Sequence, residues 1–115
     1  MTNALEVSEA EAAAIAKSPN RVSLASIEKR IVGEYYMRGK DVFGLQEAHE
    51  DALGLLTICI LVTETGFTFV GKSAPVEPSN FNAEFGKKLA REDAVRQIWP
   101  MEGYLLRDKM TAKSV

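Results

Sequence analysis

Six consecutive residues, Glu77-Pro78-Ser79-Asn80-Phe81-Asn82, set an aromatic ring between two primary amides where an expected strand gives way to an expected helix. A helix N-terminus presents free amides and a positive dipole at such a corner. Phe81 could stack there on a base or ring, with Asn80 or Asn82 reading the ring's polar edge. A structural reading accounts for the same residues: Phe81 staples the start of the helix and the asparagines cap it. Arg91, Arg96 and Arg107 follow, and their planar guanidinium forks match phosphate oxygens bidentately. The alternative for each arginine is a solvated or salt-bridged surface group.

Catalytic chemistry needs a constellation, and none is legible. His49 stands alone beside Glu47, Glu50 and Asp51, too few ligands for a metal site. Gly66 and Gly71 flank one strand and do not link strand to helix, so no phosphate loop is present. Serine, histidine and aspartate are scattered without recognisable order. Cys59 is the single cysteine and sits in the apolar run Leu55 to Val62, where a thiol behaves as a small buried hydrophobe. These residues predict a binding protein with no cofactor and no metal, and not an enzyme.

The chain of 115 residues, 46% hydrophobic and 26% charged, fits one globular domain with a real core. Its longest apolar run falls short of the roughly 20 residues that cross a bilayer, and its acidic start is unlike a signal peptide. A net charge of −2 argues against nucleic-acid polymers as partners. The charge is uneven, however. Residues 1–71 hold 6 basic and 10 acidic side chains, and residues 72–115 hold 8 and 6, so an anionic ligand belongs to the C-terminal part.

Periodicity places these residues on an α+β fold: a β-hairpin or small antiparallel sheet against a long C-terminal amphipathic helix, with an N-terminal helix. Residues 1–20 read as a loosely packed segment and residues 21–115 as a single α+β domain. Ser8 and Glu11 have capping-box spacing, and Ile15 is the main apolar residue that the first helix offers. Leu24, Ile27 and Ile31 recur at helical spacing and predict a second helix from Ser23 to about Val32, ended by Gly33. Glu34 to Arg38 then reads as a short strand, and residues 39–54 as a long loop with at most a helical turn. Leu56 to Val62 and Phe67 to Val70, joined through Gly66, predict a hairpin with Phe67 and Phe69 on one face. From Phe81, the stripe Phe85, Leu89, Val95, Ile98 and Trp99 predicts a helix of four to five turns. Pro100 should bend or restart it.

The run from Thr57 to Lys109 resembles a family of small phage proteins in its order and spacing. The residues that carry the likeness are Gly66-Phe67-Thr68-Phe69-Val70-Gly71, Pro78-Ser79-Asn80-Phe81-Asn82, Phe85-Gly86 and Ile98-Trp99-Pro100-Met101-Glu102-Gly103-Tyr104-Leu105-Leu106. Within that family the chain is similar to the Thoeris anti-defence one proteins. These are sponges that hold a cyclic ADP-ribose signal without cleaving it, and some also hold cyclic oligonucleotides. The resemblance implies a homo-oligomer, a dimer or trimer of dimers, with pockets between subunits, in the cytoplasm of the infected bacterial host. It also implies Phe81 as the stacking ring and Arg107 as a phosphate or stacking partner. Asp93 would lie near the base, although its carboxylate offers no donor at neutral pH. Arg91 and Arg30 complete the implied set, and Asn80 joins the candidates from the corner's own chemistry. The competing expectation is a protein–protein inhibitor or adaptor acting on a host protein through acidic residues, Glu6 to Glu11 and Glu47 to Asp51.

Overall fold

Among the described residues, three antiparallel strands in the order β1-β2-β3 form one sheet, β1 over Ile31–Arg38, β2 over Thr57–Thr63 and β3 over Thr68–Ser73. They belong to a computed structural model that describes residues 4–112. Helices α1 (Ala4–Ile15) and α2 (Leu24–Arg30) precede β1. The β1–β2 connection holds two short 3-10 turns and the single turn α3 (Glu50–Leu53). Helix α4 (Ala83–Ala112) follows a third 3-10 turn at Pro78–Asn80 and lies along one face of the sheet, against β2 and β3. The fold is the α+β arrangement that the periodicity predicts.

Strand alternation decides which side chains meet α4. Thr57, Cys59, Leu61 and Thr63 of β2 point to the helix and are buried, with Phe69 and Gly71 of β3 beside them. Ala90, Ala94, Val95 and Ile98 meet them from α4. The helix lies unusually close at Gly71, where a Cβ would stand 2.1 Å from the Ala90 carbonyl oxygen and 2.4 Å from the Ala94 nitrogen. Only a glycine facing alanines permits that approach.

Several local expectations need correction. Helix α2, capped by the Ser23 hydroxyl on Ser26 N–H at 3.1 Å, ends at Arg30, and β-branched Ile31 and Val32 open β1 instead. Gly33 therefore sits inside a strand, at a register shift, where the Tyr35 ring packs over it. Strand β3 starts at Thr68, so Phe67 stays 56% exposed while Phe69 is 8% exposed, although their rings still meet at 5.2 Å. Helix α4 runs unbroken through Pro100 for 30 residues; the proline removes one internal hydrogen bond, and the turns on both sides hold the helix together.

The N-terminal helix also differs from its sequence reading. It starts by Ala4, which leaves Ser8 in the helix interior, not at its cap. Ile15 is 78% exposed and Leu5 joins the core in its place. Glu9 binds α1 to the rest of the chain: its carboxylate accepts from Leu24 N–H at the start of α2 and pairs with Arg21 at 2.6 Å.

Candidate functional site

A cleft of about 180 Å³ opens where β2, β3 and the start of α4 come together. Leu55, Pro75, Phe81, Phe85 and Leu89 give it apolar walls, and Thr57, Ser73, Asn80 and Asn82 add polar groups. The local sequence explains the shape. The Pro78–Asn80 turn brings the chain off β3, and Asn82 then starts α4, its Oδ1 accepting Phe85 N–H at 2.9 Å and its carbonyl accepting Gly86 N–H at 2.8 Å. Asn82 thus does the capping that asparagine does well, while Asn80 and Phe81 remain on the cleft.

One side chain that sequence reasoning missed reaches this ring. The Arg38 guanidinium lies 4.1 Å from the centroid of Phe81 and donates to the Gly54 carbonyl. A cation so placed is attracted to the ring's π face. Arg38 is a strand-end residue whose inward direction was readable: Glu34, Tyr36 and Arg38 share a face by alternation. What sequence could not give was the ring waiting above it, 43 residues on.

The other sequence-derived candidates are placed away from the cleft walls. Arg91 binds Glu28 through two bonds of 2.9 and 2.6 Å and Glu34 through Nε at 2.6 Å. Those hydrogen bonds, to Glu28 first, hold its guanidinium even more firmly protonated than usual. Arg30 bridges Glu64 at 2.6 Å and Glu102 at 2.8 Å. Both arginines are engaged by two carboxylates, which for Arg91 is the salt-bridged alternative that the sequence allowed. The Asp93 carboxylate accepts Lys72 N–H at 2.9 Å and so ties α4 to β3. Arg107 is exposed, 24 residues beyond the start of α4, or about 36 Å along the helix at 1.5 Å per residue. Within one protomer, Phe81 and Asn80 share a cleft, and Arg107 is far from it.

Reactive alternatives find little support in the geometry. Cys59 is buried, and burial pushes its thiol up, away from the thiolate that reacts. Tyr36 is driven up as well, by burial and then by its hydrogen bond to Glu34. Among the described residues no group of three or more histidine, cysteine, aspartate or glutamate side chains could hold a metal ion.

The model of one family, the phage proteins N4 Gp49/phage Sf6 gene 66, matches residues 22–110. The chain belongs to this phage protein family. The match runs from just before α2 almost to the end of α4 and includes Arg38, Thr57, Asn80 and Phe81. Helix α1 lies outside it. Comparison with the curated proteins and with the solved structures finds no match to this phage protein. No helix among its described residues is long and apolar enough to cross a membrane.

Proposed function

We propose that this phage protein binds a cyclic nucleotide immune signal of its bacterial host, a cyclic ADP-ribose isomer or a cyclic oligonucleotide, and holds it uncleaved. The observation that carries the reading is the cleft at the start of α4. An aromatic ring with a guanidinium 4.1 Å from its centroid borders an apolar cavity that also carries amide and hydroxyl groups. A planar heterocycle bearing phosphate needs that combination: apolar walls for the ring, neutral polar groups for its edge and a cation for the charge. Hydroxyls, amides and a guanidinium have no proton to exchange near pH 7, which suits holding over cleaving.

The cavity size supports assembly. At about 180 Å³ it falls below the roughly 300–1,000 Å³ of pockets that enclose a whole ligand. It would take one ring, leaving the remaining sugar and phosphates to be covered by a second copy. A homo-oligomer, a dimer or a trimer of dimers, would supply that cover, and an Arg107 from a neighbouring copy could approach a cleft that it cannot reach in its own. The site of action would be the cytoplasm of the infected cell.

Calorimetry and thermal melting against cyclic ADP-ribose isomers and cyclic di- and trinucleotides test this reading. A ligand at 100 times its dissociation constant raises stability by about 2.7 kcal/mol, and denaturing the complex should return it intact. No response to any of these ligands would remove the proposal. A second reading, a protein–protein inhibitor or adaptor, draws on the outer sheet face, where Tyr35 and Val70 are exposed beside Ile60 and Val62. Tyr35→Glu on that face separates the two: ligand binding should survive it, while an adaptor docking there should not.

A further inference from the structure

Two buried side-chain atoms among the described residues have no hydrogen-bond partner, Arg38 Nε and Thr57 Oγ1. They are neighbours. Arg38 faces Thr57 across β1 and β2, and Thr57 faces Ser73 across β2 and β3. The row Arg38–Thr57–Ser73 therefore crosses the whole sheet at the end nearest the start of α4. Phe81 meets it at Arg38. Gly86 packs against it in the middle, where a Cβ would stand 2.8 Å from Thr57 Oγ1, and both residues line the cleft. Ser73 is already engaged, donating to the Gly86 carbonyl at 2.6 Å.

Buried polar atoms nearly always find partners, and leaving one without is costly. Two of them stand in one cross-strand row, Thr57 lining the cavity and Arg38 joined to it through Phe81, and they mark a place where a further molecule completes the bonding. Thr57 is only 2% exposed, so bulk water does not serve it. Arg38 differs from Arg30 and Arg91 in a way that matters. Those two each bind two carboxylates, whereas the side-chain hydrogen bond of Arg38 goes to a neutral carbonyl.

We infer that this row is the polar floor of the ligand site. Thr57 takes the hydrogen-bonding edge of a planar heterocycle, since a hydroxyl can donate or accept. Arg38 takes the phosphate attached to it, beside Phe81, by charge-assisted bonds. The inference rests on the nucleotide-holding reading and narrows it: the first phosphate is met within one protomer, by Arg38.

The test is calorimetry on the full chain with two probes, cyclic ADP-ribose, which carries a pyrophosphate, and adenosine, which carries none. Arg38→Gln keeps a donor for Gly54 and loses the charge. It should weaken cyclic ADP-ribose by at least about tenfold, or about 1.4 kcal/mol, and leave adenosine within about twofold. Arg38→Lys should recover part of the loss. Thr57→Val should weaken both probes together. Wild-type binding reads the same contact without any substitution, since added salt should weaken cyclic ADP-ribose and spare adenosine. Equal loss of both probes in Arg38→Gln would make Arg38 a support for Phe81 and overturn its role here, as would salt-independent binding. Undiminished binding by Thr57→Val would overturn the floor. If wild type binds and both variants match it, this inference alone fails; if wild type binds neither probe, nor any other cyclic ADP-ribose isomer or cyclic di- or trinucleotide, the nucleotide-holding reading fails with it.

Discussion

Arg91 and Glu28 form a fork-to-fork pair, two hydrogen bonds of 2.9 and 2.6 Å between residues 63 positions apart. Glu34 takes the remaining Nε–H at 2.6 Å, so one guanidinium joins α2, β1 and α4. The three side chains are between a quarter and two-fifths exposed, which places the triad between a buried and a surface ion pair. Arg91→Ala should therefore cost about 1–2 kcal/mol, between the small value of exposed pairs and the larger cost of stranding buried carboxylates. Urea unfolding of the variant measures it, and an unchanged midpoint would show that water replaces the guanidinium fully.

Acid should loosen the N-terminal half of the fold. Burial by itself would raise the Glu34 carboxyl, but hydrogen bonds from Arg91 and Tyr36 outweigh it and hold the pKa below the ordinary value. Glu9 is lowered in the same manner, with Leu24 N–H and Arg21 outweighing burial. A carboxyl depressed in the folded state takes up its proton first in the unfolded chain, so its stabilisation is complete above the unfolded value, about 4.3. It is lost as pH falls through the lower folded value. The melting temperature should hold between pH 6 and 5, by that principle, and drop below about pH 4.5. In Glu9→Gln and Glu34→Gln the drop should be shallower.

Gly71→Ala should be the most damaging single methyl in the molecule. Its Cβ would meet backbone atoms of Ala90 and Ala94 at 2.1 and 2.4 Å, and backbone cannot rotate aside. Overpacking of this kind costs about 1–3 kcal/mol and sometimes more, so circular dichroism should show a melting temperature lowered by many degrees. A melt within a degree or two of wild type would mean that α4 can lift off the sheet freely.

Pro100→Ala should stabilise the protein. The proline lies inside a continuous helix, where proline costs up to about 3 kcal/mol relative to alanine. Release of part of that, about 1–2 kcal/mol, should appear as a higher urea midpoint. A loss of stability would show that the ring packs against something of value.

Thr57→Val should also stabilise the ligand-free protein, by about 1 kcal/mol, because it removes a buried hydroxyl that lacks a partner. A destabilised variant would reveal a structural bond at that hydroxyl and count against a ligand role.

The amino-acid sequence alone determined the class of fold, and it did so through period. Leu56 to Val62 is a continuous β-rich apolar run, residues from Phe67 to Val70 alternate, and apolar residues recur at helical spacing from Phe85 to Ile98. The phage family was legible as well, because the Gly66–Gly71 and Ile98–Leu106 segments are local strings that require no folding to read. Element ends were less legible. Ile31 has helical spacing but joins β1, because pairing with Thr63 outweighs a weak propensity, and α4 continues past Pro100 without restarting. The candidate cleft was half legible: Phe81 and Asn80, picked by type and position, line it, yet nothing local showed that Arg91 and Arg30 are held by carboxylates. Their partners, Glu28, Glu34, Glu64 and Glu102, lie 34 to 72 positions away, and no local rule links charges across such distances. Arg38, Thr57 and Ser73 became one row only when three strands registered beside each other. Register is a property of the paired sheet, so tertiary structure alone decided where the unpartnered atoms meet.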